Sequence, residues 1–277
     1  MTDFQSPLIE TSGIFAMSQK KEMPVAIELK DVQFRWPKAD HIILDIPAFT
    51  IRSQQHLFVR GPSGSGKSTL LSLLTAINTP EKGRISLLGT DICQLKPRQR
   101  DQFRADNIGY IFQQFNLLPY LSVVDNVCLA CEFSSKRKQK IITKYSSAKD
   151  PIRREAIRLL TALNLPTDIQ NQKASHLSIG QQQRVAAARA LMGSPSLVIA
   201  DEPTSALDHD NREAFIKLLM QEVACNEATL IFVSHDPTLE NLFDQTIDLT
   251  QMNQTHREKY ILTSKENAHE KSSSTGV

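Results

Sequence analysis

Hydrophobic positions change their spacing along the chain, and each change marks a different kind of element. From Ile27 they come in short bursts, Ile27–Leu29, Val32–Phe34, Ile42–Leu44 and Phe49–Ile51, with brief polar breaks that suit an antiparallel edge layer. His56-Leu57-Phe58-Val59 is then an apolar run closing on Gly61, and Lys67 to Ile77 reads as a helix with Leu70, Leu71, Leu73 and Leu74 inward. Two further runs, Leu197–Ala200 and Thr229–Val233, are apolar throughout, as strands of a parallel sheet covered on both faces should be. Between about Phe115 and Leu191 the spacing is helical, as in Pro151–Leu163, with no strand pattern. The expectation is an α/β core with an antiparallel β layer and a helical insertion over about 115–191. Residues 1–23 and 264–277 are polar and aperiodic and read as disordered tails, leaving 24–263 as the domain.

Composition narrows the class. With 40% hydrophobic and 22% charged residues in 277, a substantial core is possible, and a net charge of +2 points to no nucleic-acid partner. No apolar run is long enough to cross a bilayer, and the N-terminus lacks the basic-then-apolar order of a secretory signal, so a cytosolic location is expected. Cys93, Cys128, Cys131 and Cys225 are too scattered for a disulfide framework. Cys128 and Cys131 form a lone C-x-x-C with no histidine or second pair to complete a zinc set, and read as core thiols of a buried helix. The basic run Lys136, Arg137, Lys138, Lys140 and Lys144 reads as a solvated loop or helix face, with lipid headgroups or a partner as the alternative contact.

Three constellations carry chemistry. Gly61-Pro62-Ser63-Gly64-Ser65-Gly66-Lys67-Ser68-Thr69 fits G-x-x-x-x-G-K-[ST] between a strand and a helix. Its backbone N–H groups can curl around phosphate oxygens, Lys67 brings positive charge to the β and γ groups, and Ser68 can ligate Mg²⁺. Asp201 and Glu202 end a buried strand, where Asp201 would hold Mg²⁺ through water and Glu202 would polarise the water attacking the γ-phosphate of ATP. Leu177-Ser178-Ile179-Gly180-Gln181 contains a capping box, Ser178 to Gln181, whose helix start offers free N–H groups to an anion.

The order of the phosphate loop, Gln113, Leu177–Gln181, the strand ending in Glu202, Ser205-Ala206-Leu207-Asp208 and His235 resembles the ATP-binding subunits of ABC transporters, over about Ile27 to Leu249. That resemblance implies a P-loop NTPase (ABC ATPase) core. It implies that Trp36 stacks on the adenine, the alternative being a buried or edge tryptophan. Gln113, with Gln114 as rival, would touch Mg²⁺ and the attacking water, and His235 would contact the γ-phosphate and orient that water. Asp208 would cross a dimer interface, while Ser178, Gly180 and Gln181 would close over the ATP of a second copy. Ile179 departs from the glycine of many members. A β-branched residue suits only ordinary φ, so the contacts there fall to Ser178 and Gly180.

Phe112–Pro119, Leu121–Val127 and Gly180–Arg184 resemble the subgroup serving lipoprotein release and macrolide or peptide export. Separate membrane permease subunits would then dock around Gln113–Asn126, holding the chain at the cytoplasmic face of the inner membrane. Two other readings are a soluble ABC ATPase acting on nucleic acid or ribosomes, against which neither heptads nor an internal repeat appear, and a regulatory module without turnover, against which Glu202 and His235 stand. The cargo is contacted by the permease, so no residue here names it.

Overall fold

A computed structural model describes residues 23–205, 207 and 209–255. The first 22 residues and those from 256 onward, with most of the two expected tails, lie outside the described residues, as does Asp208. The chain runs β1 (Val25–Phe34), β2 (Leu44–Arg52), β3 (His56–Arg60), α1 (Lys67–Leu74), β4 (Lys82–Leu87), β5 (Thr90–Asp91), α2 (Pro97–Asn107) and β6 (Ile108–Ile111). It continues with α3 (Val123–Glu132), α4 (Ser135–Lys144), α5 (Pro151–Ala162), α6 (Ile179–Leu191), β7 (Leu197–Asp201), α7 (His209–Cys225), β8 (Thr229–Val233), β9 (Gln245–Asp248) and α8 (Leu249–Met252).

The strands form two sheets. One has the order β2-β1-β4-β5 and is antiparallel; the other, β6-β7-β8-β3-β9, is parallel throughout. Successive residues of the central parallel strands feed opposite cores, as the two-residue period of a strand requires. Leu57, Val59, Leu197, Ile199, Ile231 and Val233 pack with α1 and the antiparallel layer, whereas Phe58, Val198, Ala200, Leu230 and Phe232 pack with the helices on the other face. Both faces are covered, which is why those runs are unbroken apolar sequence.

The edge layer is more continuous than its sequence suggests. Ile27–Leu29 and Val32–Phe34 belong to one strand, because the polar break at Asp31 is a bulge with φ of 50° and a register shift. Phe49–Ile51 and Leu44 likewise share β2, an edge strand, where Pro47 removes no central ladder bond. The first helix stops at Leu74 and not at Ile77: Thr75 Oγ1 donates to Leu71 O at 2.7 Å, Ala76 turns to φ 55°, and Ile77 is exposed.

Between β6 and β7 the described chain holds four α-helices, α3 to α6, with one isolated antiparallel bridge, Ser122 to Lys173. Cys128 and Cys131 lie on α3, and burial raises their thiols to about 12 and about 11, so both stay protonated and inert. The basic run requires a correction. It forms α4, but Arg137 is buried, donating to Met192 O at 3.2 Å and to Ile108 O, and Lys140 and Lys136 donate to Ser194 O and Asn107 Oδ1. Much of that charge fastens α4 to β6 and to the turn after α6.

Candidate active site

The phosphate loop leaves β3 at Arg60 and enters α1 at Lys67. Gly66 caps that helix in the left-handed region, φ 97°, and a Cβ there would stand 2.8 Å from Leu44 Cδ2, so this position needs glycine for both conformation and space. Lys67 is buried, and its ammonium donates to Gly61 O at 2.7 Å and Pro62 O at 3.1 Å. Burial lowers its pKa, while Glu202 and Asp201 oppose that shift. The cation thus folds back on its own loop and is free to exchange carbonyls for phosphate oxygens.

Trp36, Ile43, Ser63, Gly64, Gly66, Lys67, Ser68, Thr69, Gln113, Glu202 and His235 line one cleft of about 460 Å³. Parallel pairing explains the convergence: β3, β7 and β8 are neighbours, and their carboxyl ends deliver the loop, Asp201-Glu202 and Ser234-His235 to one edge. Glu202 leaves β7 with φ 45°, an uncommon backbone for a carboxylate residue, and its N–H donates to Val233 O at 2.9 Å. His235 Nε2 lies 2.5 Å from Glu202 Oε1, and Gln113 Nε2 lies 3.4 Å from Glu202 Oε2. Gln114 is not among the lining residues, which separates it from its neighbour.

Asp201 is half-buried. Burial raises its pKa, opposed by the Tyr110 hydroxyl, which donates to Oδ2 at 3.2 Å, and by the charge of Lys67. Tyr110 and Ile43 were not expected from sequence. The tyrosine is the penultimate residue of β6, a strand too short to show a pattern of its own, and Ile43 reaches the cleft only through a hairpin closure that no local pattern reveals. Trp36 sits edge-on to Phe34, ring centroids 5.1 Å apart, and is 41% exposed, so it is an edge residue with a free face. A second, larger cleft of about 540 Å³ shares Trp36 but carries no phosphate-loop residue.

Ser178, Gly180 and Gln181 are not brought into that cleft. The capping box forms as expected: Ser178 N donates to Gln181 Oε1 at 2.9 Å and Gln181 N to Ser178 Oγ at 3.3 Å. Ser178 has extended backbone, and Ile179 begins α6 with its side chain exposed. The helix start therefore faces solvent with the N–H groups of Ile179 and Gly180 and the serine O–H available.

The family model of the ABC transporter matches residues 44–205. The chain belongs to the ABC transporter family. It is an ABC ATPase, an ATP-binding cassette that hydrolyses ATP. The cassette is 34% identical over 227 residues to the uncharacterised ABC transporter ATP-binding protein MJ0796 of Methanocaldococcus jannaschii, over 80% of this chain and 92% of that one. It is 36% identical over 216 residues to the macrolide export ATP-binding/permease protein MacB of Syntrophobacter fumaroxidans, where the match spans 77% of this chain but only 29% of the relative. A dimeric post-hydrolysis structure of MJ0796 bound to ADP and Pi superposes with a TM-score of 0.68 at 32% identity, over 80% of this chain and 93% of that one. Among the described residues no helix is long and apolar enough to cross a membrane.

Proposed function

We propose that this cassette closes as a dimer over ATP and Mg²⁺ and so drives separate membrane permease subunits, in export or in extraction of lipids or lipoproteins. The supporting observation is a division of labour. Lys67, Ser68, Gln113, Glu202 and His235 share one cleft, whereas Ser178 and Gly180 point out of it from a capped helix start. A site whose anion-binding helix faces outward is completed by a second copy.

The donor set fits Mg²⁺. Ser68 is exposed in the cleft, Asp201 is a half-buried carboxylate at the strand end, and no cluster of three His, Cys, Asp or Glu occurs among the described residues. A hard cation held by one hydroxyl, one carboxylate through water and phosphate oxygens needs no such cluster. Ser68, Asp201 and Gln113 would hold it, and bound there it would neutralise charge on the β and γ oxygens. Lys67 binds the same oxygens, and the N–H groups of residues 63–69 cradle them. Glu202 accepts the proton of the attacking water as it adds to phosphorus and the bridging oxygen to ADP departs. His235 holds the glutamate and the γ-phosphate in line, and Trp36 offers its free face to the adenine.

Docking of a permease around Gln113–Asn126 has its support in a groove that adjoins that span without including it, lined by Tyr110, Phe112, Ala130, Phe133 and Arg189, in which Phe112 and Phe133 are exposed. Export rests on the likeness to MacB, a protein named for macrolide export. A peripheral position at the cytoplasmic face of the inner membrane follows if the permease is a separate chain. Affinity purification of the chain from membranes with Mg-ATP, with phosphate release measured on the eluate, tests the reading. The expected result is co-elution of an integral membrane protein; co-elution of ribosomes or nucleic acid alone would overturn the transport assignment.

A further inference from the structure

The last described turn of the chain backs the nucleotide cleft. Leu249 opens α8 fully buried, and a Cβ on Gly61 would meet its Cβ at 3.6 Å, so this leucine lies against the start of the phosphate loop. Four residues on, Asn253 is also fully buried and binds the root of the Trp36 hairpin through both ends of its amide. Its Nδ2 donates to Ile43 O at 2.8 Å, and its Oδ1 accepts from Asp45 N at 2.9 Å and from Thr255 Oγ1 at 3.0 Å. The hairpin itself closes through Ile43 N donating to Phe34 O at 2.8 Å. Ile43 lines the cleft beside Trp36, and the Ile43 and Leu44 side chains are the atoms a Cβ on Gly66 would meet.

We propose that Asn253 is a positioning residue for the base of the nucleotide. It fixes the Ile43 carbonyl and the Asp45 N–H, and those two fix the hairpin that carries Trp36 over the cleft. An asparagine suits the task because one planar amide donates to a carbonyl and accepts from an N–H two residues further on. Buried this way, its loss leaves the Asp45 N–H without its side-chain acceptor and the Ile43 carbonyl with only the Thr255 hydroxyl, at 3.4 Å, and lets the hairpin shift. The proposal rests on the reading of this cleft as the ATP site.

Trp36 is the single tryptophan of the chain, so its fluorescence reports on the hairpin directly. The test titrates full-length wild type, Asn253→Ala and Asn253→Asp with ATP by Trp36 emission and with inorganic tripolyphosphate, which lacks a base, by calorimetry. Asn253→Asp keeps the acceptor and loses the donor to Ile43, which covers the case in which the alanine variant does not fold. Asn226→Ala, at the far end of β8, where Ser194 Oγ and Glu222 O are its partners, serves as a structural control. The expected result is ATP affinity weakened by about tenfold, tripolyphosphate affinity within about twofold of wild type, and KM for ATP raised with kcat largely kept. Equal weakening of both ligands, or an ATP affinity unchanged in spite of a lowered melting temperature, would overturn it. Absence of any ATP response in wild type would instead sink the nucleotide reading itself.

Discussion

Nε2 of His235 lies 2.5 Å from Oε1 of Glu202, and this contact joins the ends of two adjacent parallel strands. The backbone pairs the same two ends, Asp201 opposite Val233 with Glu202 N donating to Val233 O, so the side-chain contact is built on a rigid ladder. A carboxylate held by an imidazole on one oxygen and by Gln113 on the other is aimed, and an aimed base is what in-line attack by water needs.

Glu202→Gln should therefore abolish turnover while leaving ATP bound. Loss of a general base typically costs about 10²–10⁴ in rate, whereas the phosphate clamp of Lys67 and the loop N–H groups is untouched. The expected outcome is phosphate release down by at least about a hundredfold, an unchanged Trp36 response to ATP, and a dimer by sedimentation with Mg-ATP. A variant that stays monomeric would count against closure over nucleotide.

The convergence of these groups was legible in the chain because each constellation sits at the end of an unbroken apolar run, and such runs become neighbours in a parallel sheet. Less was legible where a few residues form a strand or where contacts reach across the chain. Ile108–Ile111 is four residues with a glycine, Gln245–Asp248 is polar, and both are strands only because the sheet receives them. Arg137 shows the other limit: a lysine-rich run looks solvated until one member finds two backbone carbonyls, and nothing within residues 136–144 announces Ile108 or Met192.

Asp201→Asn should raise stability and remove function. Burial puts the Asp201 pKa above its unfolded value, so the folded protein binds this proton more tightly than the unfolded chain does. The favourable contribution is then complete below the ordinary carboxylate pKa and is lost as pH rises through the raised one. At neutral pH the native charge is a cost, and an isosteric amide that can still accept from Tyr110 removes it. The nucleotide-free Asp201→Asn variant should melt higher than wild type at pH 7–8, with the difference vanishing below about pH 4, and Mg²⁺-dependent turnover should be lost. A lower melting temperature at pH 7–8 would show that the carboxylate is fully compensated in the resting site.

Arg137→Ala should unfold the α4 attachment. Burial lowers this guanidinium to about 10, with Cys131 and Asp106 opposing the shift, and it donates to two backbone carbonyls. Removing a buried charge donor from two backbone acceptors costs about 2–4 kcal/mol, against about 0.5 kcal/mol or less for Gln139→Ala at an exposed position of the same helix. Urea unfolding of the two variants, compared at equal slope, measures the difference. Similar midpoints would return the whole run to the role of a solvated face.

Gly180→Ala and Ser178→Arg separate what the α6 start does for its own chain from what it does for another. A Cβ on Gly180 would meet only Leu207 Cδ2, at 3.6 Å, an ordinary contact, and alanine gains up to about 1 kcal/mol over glycine inside a helix. The isolated chain should therefore be as stable or more so as Gly180→Ala, and yet turn over ATP more slowly, because in the proposed two-copy site the added methyl would stand where the partner's γ-phosphate approaches. Ser178→Arg should keep the Trp36 affinity for ATP within about twofold, at a cost in stability of about 1 kcal/mol for the lost cap, and remove phosphate release. If either variant lost nucleotide affinity in proportion to its turnover, the α6 start would be serving the cleft of its own chain, and the two-copy site would have to be abandoned.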